Sequence, residues 1–140
     1  MNVVTLFRVA AILAGVQGLA HGALFVRARP RHGAAEEAVI AAMQTNRFFR
    51  GGLTYWDYYF GYGLIAAGIC LVEAVLFWQL ATVARTHAEL VRPMAALFVV
   101  WNAAHALLLV RYFKFPLPIA FDVLVGLVLA LAFVAAGKAG

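Results

Sequence analysis

Charge and cysteine are both scarce in this chain. Only 12% of its 140 residues are charged, compared with about 25% in a typical soluble domain. A single cysteine, Cys70, excludes a disulfide framework and a zinc site built on cysteine ligands. In contrast, 66% of the residues are hydrophobic, which is more than a soluble fold of this length can bury. These proportions exclude a soluble enzyme and predict an integral membrane protein.

Acidic residues are fewer than basic ones, 6 against 11, and the formal net charge is +5. In a soluble protein this excess would point to nucleic acid. Here the arginines concentrate in the connections between apolar stretches, where positive charge faces lipid headgroups and the cytoplasm. We therefore expect the membrane as a partner and no nucleic acid.

Four apolar stretches are long enough to cross a bilayer core, which takes about 20 helical residues. They cover residues 4–26, 53–83, 93–113 and 117–137. We expect Pro93 in the first turn of the third helix and a stiff, short hairpin at Pro116 and Pro118 before the fourth. Residues 1–140 then form a single integral membrane domain, whose fold class is an all-α four-transmembrane-helix bundle in up-down-up-down order.

The long connection between the first two spans contains an amphipathic pattern. Within residues 36–49, Val39, Ile40, Met43 and Phe48 fall where they can make apolar contacts. A helix of this kind typically lies in the plane of the membrane interface. We expect such an interfacial helix between spans 1 and 2.

Basic residues are distributed unequally between the two ends of the spans. The end with the long connection, called the basic end below, carries Arg27, Arg29, Arg31, Arg47, Arg50, Arg111 and Lys114. The opposite end carries Arg8, Arg85, Arg92 and Lys138. Because positive residues favour the cytoplasmic side, this count predicts a cytoplasmic long connection and both termini outside.

Ionisable residues inside a span are costly, so they are usually paired or functional. The half of the bilayer near the basic end receives one such residue from each span: His21, Asp57, His105 and Asp122. We take these as candidate catalytic residues, with an aspartate as the acid and a histidine as the base. The candidate ligand-binding residues around them are Tyr55, Trp56, Tyr59, Tyr62, Trp101, Tyr112 and Arg111. We expect a cavity there, with Asp57 and His21 its most sensitive positions.

Each candidate also has a structural explanation. Tyrosines and Trp56 at a membrane boundary often form an aromatic belt. Asp57 can form a salt bridge with a nearby interface arginine, and His21 can form an interhelical hydrogen bond. In the other half of the bilayer, Glu73 and Arg8 have similar depths, which predicts an ion pair between them.

Two cofactor alternatives remain weaker. His21 and His105 have similar depths on different spans, as axial haem ligands would. A metal site on the candidate histidines and aspartates lacks any pair of ligands four residues apart on one helix. We therefore expect no cofactor and no metal.

The run at residues 54–64 reads TYWDYYFGYGL. It is accompanied by a His-Gly pair late in span 1 (His21 and Gly22) and by a methionine before span 2 (Met43). Two glycines within the run (Gly61 and Gly63) and an Arg-Tyr-Phe sequence that ends span 3 (Arg111, Tyr112 and Phe113) complete the pattern. These features together resemble a family of small bacterial four-span transmembrane proteins, DoxX-like in size and layout. The resemblance implies a four-span fold in the bacterial inner (cytoplasmic) membrane, and it implies no particular activity.

Two functions fit this pattern. The first is binding of a lipophilic small molecule or lipid, with acid–base conversion of the kind carried out by membrane-embedded sterol isomerases and terpene cyclases, to which the chain is similar by analogy alone. The second is a non-catalytic partner subunit or small carrier, whose polar groups only join the spans. A homo-oligomer is a further candidate assembly. A polar-lined cavity would favour the first function, and a fully paired interior the second.

Overall fold

A computed structural model describes residues 2–26, 33–47 and 52–138. The secondary structure of this part is helical apart from an isolated bridge between Arg47 and Thr54. The helices are α1 (Val3–Val26), α2 (Ala34–Thr45), α3 (Tyr55–Val83), α4 (Ala88–Leu108) and α5 (Pro116–Ala136), and a π-helical turn (Leu109–Phe113) continues α4. Four of them, all but α2, are long and apolar enough to cross a membrane. The predicted all-α class with four membrane-length helices is confirmed.

The start of α4 differs from the expectation. The helix begins at Ala88, so Pro93 lies inside it and not in its first turn. A proline inside a helix leaves the carbonyl four residues earlier without its partner. That carbonyl belongs to Glu89 in the first turn of α4, where polar groups can still be hydrated. Position near the helix end therefore explains why the proline is tolerated.

The contacts divide the chain into two compact units. Within the described residues, the first unit consists of 2–17 and 70–138, and the second of 18–26, 33–47 and 52–69.

The first unit is a bundle of segments from all four long helices. Its core contains Phe7 and Phe77, both fully buried, with ring centroids 6.5 Å apart. Phe98 from α4 meets Phe77 edge-on at 4.8 Å. Small residues at the contacts let the backbones approach closely; the buried alanines of this core are Ala10, Ala11, Ala14, Ala81, Ala84, Ala95, Ala132 and Ala136.

The connection between α4 and α5 is short. The Lys114 amide donates to the Leu109 carbonyl at 2.8 Å, which closes the wide turn, and Lys114 adopts a left-handed backbone with φ 53°. Pro116 then starts α5, where its missing N–H costs nothing. The hairpin thereby places α4 and α5 side by side.

In the second unit, close packing involves glycines. A Cβ at Gly63 would overlap the Phe25 ring, and one at Gly22 would meet Ala67 at 3.5 Å. Helix α2 has no buried residue, and the amide of Tyr55 donates to the Asn46 carbonyl at 3.1 Å across the α2–α3 connection. The expected apolar contact at Phe48 lies outside the described residues, as do four basic residues used to assign sidedness: Arg27, Arg29, Arg31 and Arg50.

Candidate functional site

In the first unit, Asp122 receives polar side chains from two other helices. Only 4% of Asp122 is exposed. Nδ1 of His105 on α4 lies 2.8 Å from Oδ2, and Nε2 of Gln17 on α1 donates to Oδ1 at 3.2 Å. The two predicted candidates His105 and Asp122 are therefore in direct contact.

Helical periodicity explains this placement. On α5, Asp122 is followed at steps of three or four residues by Val125, Leu129, Ala132 and Ala136, all buried. The aspartate thus belongs to the stripe that packs into the core. On α4, His105 adjoins the buried Ala106 but lies at the edge of the buried face, so 41% of its side chain is exposed.

Trp101 and Glu73 extend the contacts of His105. The rings of Trp101 and His105, one turn apart on α4, are parallel within 2°, with centroids 5.9 Å apart. The Glu73 carboxylate on α3 is within electrostatic range of Trp101, His105 and Asp122. We call Gln17, Glu73, Trp101, His105 and Asp122 the polar cluster. It draws on α1, α3, α4 and α5 within the first unit.

The contact between His105 and Asp122 is close but imperfectly directed. The distance of 2.8 Å is that of an ion pair, yet no hydrogen bond of good geometry from the described residues reaches Oδ2. Because the two atoms lie so close together, we interpret the contact as an ion pair. Nε2 is then the ring nitrogen that does not face Asp122.

The predicted ion pair between Arg8 and Glu73 is wrong. Within the described residues no salt bridge joins them, and the Arg8 guanidinium lies over the Trp78 ring, 5.5 Å from its centroid. Trp78 follows Glu73 by more than one turn toward the opposite end of α3. A long arginine side chain extends toward the membrane boundary, so similar backbone depths did not bring the two charged groups together.

In the second unit, Asp57 makes local hydrogen bonds. Its Oδ2 accepts from the amide and the hydroxyl of Thr54, at 2.9 and 2.7 Å, and its own amide donates to Thr54 Oγ1 at 3.1 Å. These reciprocal bonds form a capping box at the start of α3. The side chain is exposed, and no ion pair with Arg47 exists in the described part of the chain.

His21 belongs to a group of aromatic rings in the second unit. Its imidazole lies 4.9 Å from the Phe25 ring, which contacts Tyr59 at 5.3 Å. Trp56 packs on Tyr59 at 5.8 Å. Tyr58 and Tyr62 form a separate pair at 4.7 Å, and Tyr55 is exposed.

The last two predicted ligand-binding residues, Arg111 and Tyr112, lie in the π-helical turn of the first unit. The Arg111 guanidinium is 5.3 Å from the centroid of the Tyr112 ring, and both residues are exposed. They contact each other at the tip of the α4–α5 hairpin.

Two cavities of the first unit are apolar. One is an open groove of about 400 Å³ along α3, lined by Leu71, Val72, Val75, Leu76 and Gln79. The other is lined by Leu6, Leu131, Val134, Ala135 and Lys138. Neither is lined by a residue of the polar cluster. Across the described residues, no group of three or more His, Cys, Asp or Glu side chains could hold a metal ion.

No protein-family model, curated protein or solved structure matches the chain. The resemblance carried by residues 54–64 stays a prediction, and the side chains themselves must support any functional argument.

Sequence reasoning placed Glu73 and Gln17 outside the candidate site. Counted from the end of each helix, Glu73 lies about 15 Å and Asp122 about 21 Å from the end opposite the basic end, at 1.5 Å per residue. That difference is about one helical turn, which a glutamate and an indole side chain can bridge. The depth of Glu73 along its helix was therefore the signal that could have placed it near Asp122.

Proposed function

We propose that this protein binds the polar group of a lipophilic small molecule at the polar cluster, within the membrane. The observation that supports this proposal is the unequal exposure of His105 and Asp122. The Asp122 side chain is 5% exposed, whereas that of His105 is 41% exposed. An imidazole at the surface of an apolar span needs a partner for its second nitrogen, because an unsatisfied polar group in hydrocarbon costs several kcal/mol. A ligand hydroxyl, carbonyl or amine supplies that partner.

The surroundings suit such a ligand. Small-molecule sites have mostly apolar walls and a few placed polar groups. Trp101 supplies a large apolar ring beside His105, and its 47% exposure leaves that ring open to contact. Acid–base conversion would use Nε2 of His105, because Asp122 faces Nδ1 and holds the imidazolium in place. Isomerisation of a lipophilic substrate is the reaction class that needs only such proton transfers.

We place the protein in the bacterial inner membrane with the long connection in the cytoplasm. The four membrane-length helices support membrane integration, and the excess of basic residues at the basic end supports this orientation.

A second candidate function is a non-catalytic membrane module. The observation that favours it is that Asp122 accepts contacts from both Gln17 and His105. These contacts tie α1, α4 and α5 together, as buried polar residues do between membrane helices. In this case the polar cluster would stabilise the bundle and bind nothing.

The two functions can be separated by native mass spectrometry of the purified chain in lipid nanodiscs, with solvent extraction of the small molecules that accompany it. Binding predicts a bound species that is lost in His105→Ala, while the helical circular dichroism is kept. His87→Ala is the matched control. His87 lies just before α4, and its imidazole is 3.5 Å from the carboxylate of Glu89 in the first turn of that helix. An unchanged set of bound species in His105→Ala, together with a lowered unfolding temperature, would favour the module.

A further inference from the structure

The apolar cavity between α1 and α5 also contains a lysine. It is a groove of about 280 Å³, and its apolar lining residues are Leu6, Leu131, Val134 and Ala135. Lys138 completes the lining. We call this cavity the Lys138 groove. It combines apolar walls with one positive charge.

The residues of the Lys138 groove differ in depth. Leu131 and Val134 lie five and two residues before α5 ends at Ala136, and Lys138 lies two residues beyond that end. At 1.5 Å per residue, the groove extends about 10 Å, from side chains within the span to the level of the lipid headgroups. Leu131 and Val134 are more than half exposed, whereas Leu6 is buried beneath them. A membrane lipid can therefore enter the groove sideways without leaving the bilayer.

The end of the first unit that contains Lys138 carries more positive than negative charge. Its basic residues are Arg8, Arg85, Arg92 and Lys138, and its acidic residue is Glu89. The carboxylate of Glu89 lies 3.5 Å from the imidazole of His87. Within the described residues, no salt bridge joins an acid to Arg92 or Lys138.

Arg92 brings a second positive charge to the end of α5. Its guanidinium lies over the Phe133 ring, 4.5 Å from the centroid, and a Cβ at Gly137 would lie 3.2 Å from its Cζ. The negative end of a helix dipole amounts to about half an elementary charge. Two cations exceed that charge, so this end of α5 attracts an anionic group from outside the chain.

We propose that the Lys138 groove binds an anionic phospholipid of the surrounding membrane, with the phosphate at Lys138 and one acyl chain along Leu131 and Val134. Basic pockets between membrane helices commonly bind anionic lipid headgroups. In phosphatidylcholine the choline already compensates the phosphate, whereas phosphatidylglycerol leaves its negative charge free for Lys138 and Arg92. The groove is separate from the polar cluster, and this inference does not depend on the proposed function.

The test is native mass spectrometry of the full chain, released from detergent micelles that contain equimolar phosphatidylglycerol and phosphatidylcholine with identical acyl chains. We expect preferential retention of phosphatidylglycerol, about fivefold weaker in Lys138→Gln, because one lysine or arginine near an anionic lipid contributes about that factor. Arg85→Gln is the matched control. It removes one exposed positive charge at the same end, and Arg85 does not line the groove.

A second pair of variants tests the apolar wall. Val134→Trp fills the groove and leaves the charge unchanged, so it should also lower the retention of phosphatidylglycerol. Leu90→Trp is its control, because Leu90 is exposed in the first turn of α4 at the same end and does not line the groove. Helical circular dichroism checks that each variant is folded.

Preferential retention of phosphatidylglycerol that falls in Lys138→Gln and Val134→Trp, and not in the two controls, supports the inference. Equal retention of the two lipids overturns it. Equal losses in Lys138→Gln and Arg85→Gln also overturn it, because the lipid would then respond only to the total charge of this end. Loss in Lys138→Gln without loss in Val134→Trp overturns it as well, because the acyl chain would then lie outside the groove.

Discussion

The two units use the same residue types in different ways. In the first unit, Asp122 lies within α5 on its buried stripe and contacts side chains of two other helices. In the second, Asp57 lies in the first turn of α3 and bonds to Thr54, three positions away. An aspartate in a first turn satisfies free helix amides, whereas one further along the helix must find a tertiary partner. Position along the helix therefore separates a capping carboxylate from a candidate site carboxylate.

The largest expected effect is at Asp122. Asp122→Ala leaves His105 and Gln17 without their shared partner, and each polar group left without a partner costs roughly 1–3 kcal/mol. A hydrogen bond between membrane helices alone averages about 0.6 kcal/mol. The free energy of unfolding in detergent, followed by circular dichroism, measures the difference. A loss under about 1 kcal/mol would show that the pair contributes no more than an ordinary hydrogen bond.

A smaller effect is expected at Gly63 in the second unit. The new methyl group of Gly63→Ala overlaps the Phe25 ring, and such overpacking typically costs about 1–3 kcal/mol. Gly61→Ala is the matched control on the same helix, because a Cβ there has no neighbour within 4 Å. The control should be neutral or slightly stabilising, since alanine favours a helix by about 1 kcal/mol over glycine. Equal unfolding temperatures for the two variants would contradict the packing.

Asp57→Ala is expected to lower the free energy of unfolding modestly, because it removes a solvent-exposed helix cap. Thr54→Ala removes the other half of the same capping box, so the double variant should cost less than the sum of the two singles. The free energy of unfolding in detergent, measured for both single variants and the double variant, tests this expectation. If Asp57→Ala instead abolished retention of a ligand without changing stability, the contrast between the two aspartates would fail.

The smallest effect is expected between Arg8 and Glu73. Because Arg8 contacts Trp78 and not Glu73, the effects of Arg8→Gln and Glu73→Gln on unfolding should add within about 0.5 kcal/mol. A coupling above 1 kcal/mol in that double-mutant cycle would restore the ion pair and remove Glu73 from the polar cluster.

Hydropathy was sufficient to predict the four long helices, because about 20 consecutive apolar residues have few alternatives. Depth along the helices predicted that His105 and Asp122 could meet. It did not predict which way a long side chain extends, and for that reason Arg8 and Glu73 were wrongly paired. The Thr54-x-x-Asp57 spacing carried a capping signal that competed with the interpretation of Asp57 as a site residue. The start of α4 was predicted wrongly at Pro93, because proline is favoured in the first turn of a helix but also occurs further along it.

The hydrogen bond between Gln17 and Asp122 joins residues that are 105 positions apart, and this separation sets an order of assembly. Gln17 belongs to the first of the four long helices in chain order, and Asp122 to the last of them. His105 and Asp122, on consecutive helices, can meet as soon as their hairpin forms. The amide of Gln17 must wait until α5 has been synthesised, so this bond is among the last contacts to form between the four long helices. A chain truncated before α5 would insert three long helices and leave the Gln17 side chain available to other partners in the membrane.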